Sequence, residues 1–309
     1  MFDLRENGLK ISTMGIALAA AAGMALVSGA ANAADWRSTF LSTNTVEYID
    51  NFVNDEVNVA VRDDDIRLST RTQFYGTGRY QDGVVTQVGG RLFYFKHIDR
   101  TDQDNLLVGV FGNVGKRFGE GWFARVGYNG DYRRKDGRDQ FIENTMNASL
   151  NYAPTRAYRV GVNGSVGYRD FDNQNFPGLD QTRLFGRGYA FWYPFLDQTF
   201  LYGEAGYQRV NADNSNQSTD LYFVGARFGY TFTEEWSVLF RTKFSNKDFG
   251  DGRSDEIFEL FGRLDYDFSK NVRAFAEAGV VDQQSTVATQ DFTGPRFGVG
   301  VRLLFNSGK

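Results

Sequence analysis

Apolar and polar residues alternate along most of the chain, most clearly in the stretch 293–305 (TGPRFGVGVRLLF). From Phe297 to Phe305 every second residue is large and apolar, and the residues between them are mainly glycine and arginine. Successive side chains of a strand point to opposite faces, so this pattern predicts a strand with one apolar and one cationic face. A soluble sheet would bury the apolar face, whereas a membrane barrel would turn it toward lipid and the cationic face toward a lumen.

The connections between the alternating stretches favour the membrane barrel. Tight turns and longer polar segments follow one another in strict order from Ile66 onward. Tight turns are predicted at 82–83, 119–121, 154–157, 196–198, 233–235 and 269–271, and longer segments at 97–105, 133–140, 170–181, 211–218, 246–255 and 282–292. Transmembrane barrels have short periplasmic turns and long extracellular loops, whereas a soluble sandwich has no reason to sort its connections by length.

The strand count follows from these connections. Strand-like segments fill the chain between Ile66 and Phe305, and one more strand is predicted within 37–50, before a long loop through Asp63, Asp64 and Asp65. The sequence therefore predicts an all-β fold, a single antiparallel transmembrane β-barrel of about 14 strands. Counts of about 12 or 16 are alternatives, because 55–61 could also be extended. An even count places both ends of the barrel on the periplasmic side.

Large aromatic residues lie beside the tight turns, on the apolar face of the predicted strands. They are Tyr80, Phe118, Trp122, Tyr152, Tyr158, Phe232, Trp236, Phe268 and Phe305. Rings of aromatic side chains form girdles where a barrel meets the membrane interface. A second ring near the loops is predicted at Tyr132, Tyr168, Tyr207 and Phe244. This distribution has no use in a soluble protein and strengthens the prediction of a membrane barrel.

The opposite, inner face carries more bases than acids. Candidates for lumen-lining selectivity residues are Arg67, Arg71, Arg91, Arg125, Arg159, Arg187, Arg227, Arg241, Lys243, Arg263, Arg273, Arg296 and Arg302. The same alternation predicts Arg79, Arg117 and Arg169 on this face. The acids predicted there are Asp131, Glu143, Glu204, Glu259, Asp265, Asp267 and Glu277. Two interpretations remain open: cross-strand ion pairs that brace the wall, or a field that attracts anions.

Aromatic residues are also predicted on the inner face, at Tyr75, Tyr189, Phe191, Tyr193 and Tyr202. Aromatic faces beside guanidinium groups suit carbohydrate, because rings contact sugar C–H surfaces and arginine binds carboxylates or hydroxyls. The alternative is that these rings pack against a plug or an inward loop. Segment 170–181 is the candidate for such a loop, because Phe176 and Pro177 are apolar among polar residues.

The N-terminal segment 1–33 has a different composition from the rest of the 309 residues. Arg5 and Lys10 precede an Ala-rich run that ends in Ala31-Asn32-Ala33, the small-residue pattern of a signal-peptidase site. We expect a cleaved secretory signal peptide at 1–33 and a barrel at 34–309. An uncleaved anchor is less favoured, because the run is shorter than the roughly 20 apolar residues that span a membrane. The chain has no Cys, and its net charge of −4 predicts no nucleic-acid partner.

The sequence offers few residues that could form a catalytic or metal-binding site. The chain has one histidine, His97, with Asp99 nearby, and no nucleophile motif accompanies it; Ser69 on a neighbouring strand cannot be placed against it from the sequence. The acidic segment 248–256 lacks the ligand spacing of a calcium loop. We therefore expect no catalytic site, no cofactor and no metal site.

These features resemble the Gram-negative outer-membrane β-barrel superfamily over residues 37–305. The resemblance rests on the signal-peptide ending, the alternating strands, the aromatic girdle and the terminal stretch GVGVRLLF (298–305), which is similar to the insertion signal read by the barrel assembly machinery. Residues 306–309 depart from the pattern, because such chains commonly end on the aromatic residue.

The resemblance implies a porin-like channel in the outer membrane, with its loops facing the exterior. The leading hypothesis is passive diffusion of anionic or carbohydrate solutes through the Arg-rich lumen. The alternatives are an export barrel of a polysaccharide or surface-protein secretion system with a periplasmic partner, and a closed structural or interaction barrel. The expected partners are outer-membrane lipid, lipopolysaccharide, the assembly machinery and, as a further option, other copies of the chain.

Overall fold

The computed structural model describes residues 35–49, 52–54, 59–61, 64–172, 178–195 and 198–307. In this part of the chain fourteen antiparallel strands form one closed barrel, in which each strand pairs with its neighbours in sequence. We label them β1 to β14: Asp35–Ile49, Asp65–Arg79, Val84–His97, Asn105–Phe118, Trp122–Lys135, Arg138–Thr155, Tyr158–Phe171, Gln181–Phe195, Thr199–Ala212, Thr219–Thr231, Trp236–Phe249, Ser254–Ser269, Val272–Ser285 and Phe292–Ser307.

The first and last strands close the barrel. Phe40 on β1 lies opposite Phe305 on β14 and Phe74 on β2, so the predicted N-terminal strand is confirmed and joins both neighbours. The last strand runs past Phe305 to Ser307, and Asn306 accepts a hydrogen bond from Thr39 at 2.9 Å. Closure leaves no unpaired strand edge, which a barrel in lipid requires.

The two faces of the wall have opposite chemistry. Met146 and Phe74 on the outer face are 66% and 58% exposed, as lipid-facing side chains of an isolated barrel must be. Arg71 on β2 and Arg241 on β11 line one cavity of about 330 Å³, although their strands are not neighbours. Their face must therefore enclose the interior. The predicted alternation of apolar outer and polar inner residues agrees with this arrangement.

Aromatic residues at the tight turns contact one another along the outer surface. Trp122 packs against Phe118 and Tyr152, with ring centroids 6.3 and 4.6 Å apart. Trp236 and Phe268 both pack against Tyr266, at 4.7 and 4.8 Å. These contacts form a belt at one end of the barrel, which we call the turn end because the short connections lie there. The opposite end is called the loop end.

Two predicted long segments at the loop end are shorter than expected. Strand β5 continues to Lys135 and β6 begins at Arg138, so the segment predicted as a loop over 133–140 is a two-residue turn. Asp136 and Gly137 occupy it with φ of 48° and 69°, the left-handed values of a tight hairpin. Strands β11 and β12 likewise reach Phe249 and Ser254, which leaves only 250–253 between them. The expectation that every connection at this end is long was therefore wrong.

The other loop-end connections have short local structure. A two-stranded hairpin, Phe52–Asn54 with Val59–Val61, lies between β1 and β2, and Val59–Val61 contacts the 3₁₀ turn Ala288–Gln290. Further 3₁₀ turns are Thr101–Gln103 and Ser215–Gln217. Phe176 and Pro177, on which the prediction of an inward loop rested, lie outside the described residues. No helix among the described residues is long and apolar enough to cross a membrane.

Buried apolar side chains line the inner face near the loop end. They come from β1 and from strands between β6 and β14: Ile49, Phe141, Phe171, Val210, Phe249, Val281 and Phe292, each at most 8% exposed. The apolar core of the molecule therefore lies at this mouth, and the polar inner wall lies beneath it.

Candidate functional site

The strand register places all the predicted selectivity residues on the inner face, and many of them form ion pairs there. Arg67 Nε lies 3.0 Å from Glu47, Arg187 lies 2.8 Å from Glu204, and Arg241 lies 3.0 Å from Glu277. The remaining pairs are Arg91 with Asp131, Arg227 with Glu204, Arg263 with Asp265, and Arg273 with Asp267. All of these pairs except Arg263 with Asp265 join different strands and so brace the wall, and each acid offsets part of the arginine charge.

A second group of the predicted residues makes no ion pair with any described residue. It comprises Arg71, Arg125, Arg159, Lys243 and Arg302. Arg71 lies over the ring of Phe95 at 5.4 Å, and Lys243 lies over Phe223 at 5.0 Å. An aromatic face supports a cation without neutralising it, so these groups keep their full charge toward the lumen.

Sequence reasoning missed several charged groups on this face. One of them is Arg183, which binds Glu143 at 2.8 Å. Arg169, which the alternation correctly predicts on this face, binds the same acid at 2.7 Å. The other missed inner residues are Arg133, Lys247, Glu47, Asp65 and Asp255, which the register places on the same face. Most of them lie toward the loop end, where charged residues were interpreted as loop. Alternation counted through the whole of each strand would have found them.

Arginines and aromatic rings form a continuous row across five strands. Arg159, Phe191, Tyr202, Arg227 and Arg241 are successive cross-strand partners from β7 to β11. The Phe191 and Tyr202 ring centroids are 4.5 Å apart, and the Arg227 guanidinium lies 5.0 Å from the Tyr202 ring. The row presents flat faces and guanidinium donors side by side, which suits a ligand with both C–H surfaces and oxygens.

The structure brings four of the five predicted inner aromatics together. Phe191 lies 6.1 Å from Tyr193 with the rings nearly parallel, and Tyr189 lies 6.0 Å from Phe191. Tyr202 completes the group from β9. Tyr75 is separate from them and contacts Phe111 at 6.3 Å. The group on β8 and β9, which we call the aromatic ladder, is therefore one surface made of Tyr189, Phe191, Tyr193 and Tyr202.

A neutral polar surface on β4 to β7 was not predicted. Its side chains line a cavity of about 270 Å³ and include Asn113, Asn129, Thr145, Asn147, Ser149, Asn163 and Ser165. Arg125 and Phe185 share this cavity, and its described lining residues include no carboxylate. We call it the amide pocket. The alternation of Thr145, Asn147 and Ser149 with Met146 and Ala148 was a usable signal, but only charged and aromatic positions had been considered.

His97 is buried at the loop end, and its partner is Asp65 rather than the predicted Asp99. Its Nδ1 lies 2.7 Å from Asp65 Oδ2, and the other oxygen of Asp65 accepts a hydrogen bond from the Asp99 backbone N–H at 3.2 Å. The residue opposite His97 in the register is Arg67, whereas Ser69 lies opposite Phe95. The pair ties the connection after β3 to the start of β2, which is a structural role. Among the described residues no cluster of potential metal ligands is present.

Comparisons with known proteins agree with the barrel architecture. A family model described as "Putative beta-barrel porin 2" matches residues 210–305, from the end of β9 into β14. No curated protein sequence matches the chain.

Solved structures of similar shape are outer-membrane and channel proteins. A loop L8 deletion mutant of OmpT, an outer membrane protein of Vibrio cholerae, is 11% identical with a TM-score of 0.54, covering 88% of this chain and 100% of that one. The anion-selective porin from Comamonas acidovorans is 12% identical with a TM-score of 0.50, covering 87% and 98%. A mutant of the TodX monoaromatic hydrocarbon channel is 8% identical with a TM-score of 0.51, covering 89% and 91%. The chain shares the closed β-barrel fold of these proteins.

Proposed function

We propose that this chain is an outer-membrane channel for the passive diffusion of anionic or carbohydrate solutes. The observation that carries the proposal is the imbalance of charge on the inner face. Among the described inner residues, each acid except Glu259 pairs with a base, whereas Arg71, Arg125, Arg159, Lys243 and Arg302 pair with none. Unneutralised cations in a pore wall attract anions and repel cations.

Two further observations support the proposal. The aromatic ladder offers ring faces to sugar C–H surfaces beside the Arg227 guanidinium. The anion-selective porin from Comamonas acidovorans shares the fold, although identity is low. In this proposal the loop end faces the exterior, lipid and lipopolysaccharide surround the apolar outer face, and the assembly machinery binds the terminal strand β14 during insertion. Association with further copies of the chain is compatible with these roles.

Planar-bilayer recording under a KCl gradient tests the proposal. The purified barrel is expected to give steady conductance with a reversal potential on the anion-selective side. The triple variant Arg71→Gln, Arg159→Gln, Arg302→Gln should shift that potential toward zero, because three unpaired inner charges are removed. Arg209→Gln is the matched control, since Arg209 alternates with the inner residues Gln208 and Val210 and lies on the outer face. Absence of conductance, or equal shifts in the triple variant and the control, would reject the proposal.

The buried apolar layer at the loop end favours a second candidate, a closed structural or interaction barrel. Phe141, Phe171, Val210, Phe249 and Phe292 occupy the inner face at this mouth and are nearly inaccessible. The same recordings discriminate the two functions, because a closed barrel would be silent at all voltages. The export barrel predicts a different result, the loss of a surface polymer or protein when the gene is deleted.

A further inference from the structure

We infer that the amide pocket is a binding site for one acidic sugar unit, with Arg125 contacting the carboxylate and the amide and hydroxyl side chains contacting the ring hydroxyls. The inference rests on the proposed function, because the ligand reaches the pocket through the lumen. Passive diffusion requires no binding site, whereas the amide pocket would bind its ligand saturably and recognise both a carboxylate and ring hydroxyls.

The pocket is built from three consecutive cross-strand rows on the inner face. Arg125, Ser149 and Asn163 form one row, in register across β5, β6 and β7. The next row contains Gly127, Asn147 and Ser165, and the third contains Asn129 and Thr145. Alternate residues of a strand are about 7 Å apart, so the three rows span roughly the dimensions of a pyranose ring with its substituents.

Gly127 lets the amide side chains of the pocket come close together. A Cβ at this position would lie 2.8 Å from Asn113 Cβ and 2.9 Å from Asn147 Oδ1, so the space over the glycine is occupied by these two neighbouring side chains. A side chain in the middle row of β5 would push them apart. The glycine therefore allows amide groups from β4 and β6 to converge on the cavity.

Most polar groups of the pocket have unused hydrogen-bonding capacity. Arg125, Asn129, Thr145, Asn147 and Ser165 make no side-chain hydrogen bond to any described residue. Ser149 Oγ is buried and also without a partner. A buried hydroxyl without a partner is costly, and carboxamides both donate and accept. Sugar hydroxyls also donate and accept, so they match this set better than simple inorganic anions do.

The charge of the pocket selects for a single negative group. Arg125 is its one cation among the described lining residues, and no carboxylate lines the pocket. The neighbouring acids Asp131 and Glu143 are bound by Arg91, Arg169 and Arg183, so they offer little repulsion. A cavity of about 270 Å³ is at the small end of ligand sites and fits one monosaccharide rather than an oligomer. Phe185 adds an apolar ring at its edge.

Titration calorimetry of the purified full-length barrel in detergent tests the site without requiring conductance. Sodium glucuronate is expected to bind with a saturable isotherm, and glucose and sodium acetate should each bind at least tenfold more weakly. Glucose lacks the charge and acetate lacks the hydroxyls. Binding of acetate as tight as that of glucuronate would mean that the site senses charge alone, and would overturn the inference.

Variants assign the binding to this pocket. Arg125→Gln should weaken glucuronate binding about tenfold or more, because a charge-assisted hydrogen bond is lost. Asn147→Ala should weaken it severalfold while keeping the charge. Arg117→Gln is the matched control, since it removes another inner arginine, which lies on β4 outside the pocket, and should change the affinity less than twofold. Equal losses in Arg125→Gln and Arg117→Gln, or wild-type affinity in Asn147→Ala, would reject the site.

Conductance separates this inference from the proposed function. A channel that conducts anions but shows no saturable glucuronate binding leaves the proposed function intact and refutes the pocket. A barrel that binds glucuronate through Arg125 but carries no current supports the pocket and refutes free diffusion.

Discussion

Arg91 on β3 and Asp131 on β5 form a two-point ion pair that crosses the intervening strand β4. Arg91 Nε donates to Asp131 Oδ1 at 2.8 Å, and a terminal guanidinium nitrogen donates to Oδ2. The pair passes over Gly109, where an added Cβ would collide with Asp131 Oδ1. A glycine on the middle strand thus lets two charged residues on non-neighbouring strands meet, and the wall is braced over three strands.

The first prediction concerns this glycine. Gly109→Ala should destabilise the barrel by roughly 1–3 kcal/mol, because the added methyl group displaces the carboxylate from its arginine. The midpoint of urea unfolding in lipid vesicles measures the change. Gly203→Ala is the matched control: an added Cβ there meets nothing within 4 Å. A control as destabilised as Gly109→Ala would show that the loss comes from glycine replacement in general.

The second prediction concerns Glu204, which lies 2.8 Å from Arg187 and 3.6 Å from Arg227. Glu204→Gln keeps the side-chain shape but releases both arginines from their common acid. The reversal potential under a KCl gradient should move further toward anion selectivity, and the free energy of unfolding should fall by about 1–3 kcal/mol. Glu235→Gln, in the turn between β10 and β11, is the control and should leave both quantities unchanged. A shift toward cations would contradict the inner position of Glu204.

The third prediction tests the two faces with adjacent residues in the middle of β6. Met146 on the outer face is 66% exposed, whereas Thr145 lines the interior. Met146→Arg should destabilise the barrel by about 2–4 kcal/mol, because a charge at the bilayer midplane loses its hydration. Thr145→Arg should cost less than about 1 kcal/mol, since an inner arginine meets water and the acids Asp131 and Glu143. Urea unfolding in vesicles gives both values, and a reversed order would mean that the faces are misassigned.

The fourth prediction concerns the buried pair of His97 and Asp65. Asp65 is 2% exposed and accepts from both the His97 ring and the Asp99 backbone. Asp65→Asn replaces one acceptor oxygen by a donor, so one of these bonds is lost at a cost of about 1–3 kcal/mol. Amide hydrogen exchange in the connection 98–104 should become faster. The control Asp99→Asn changes a side chain that is exposed in the same connection and should leave exchange at the wild-type rate. Unchanged exchange in Asp65→Asn would remove the proposed structural role of the pair.

Local signals explain where prediction from the sequence succeeded and where it failed. The alternation in 293–305 correctly gave the strand, its faces and its place at the barrel closure, because a period of two follows from backbone geometry alone. Segment 133–140 was interpreted as a loop because it is charged. Asp136-Gly137 is nevertheless a strong tight-turn pair, since both residues accept positive φ, and this signal outweighs composition. Thr145, Asn147 and Ser149 alternate in the same way and could have been placed on the inner face, but the amide pocket combines residues of several strands, which alternation along one strand does not bring together.

The sequence by itself determined the barrel, a strand number of about 14, and the face on which most of its arginines lie. It could not determine which arginines keep their charge. Arg187 and Arg227 share Glu204, whereas Arg125, also on the inner face, makes no ion pair with any residue that the structure describes. That difference depends on strand register, on closure, and on glycines such as Gly109 that let side chains cross a strand. The alternation along one strand decides which face an arginine lies on. Whether it forms an ion pair depends on acids from other strands, which only the closed barrel brings close to it.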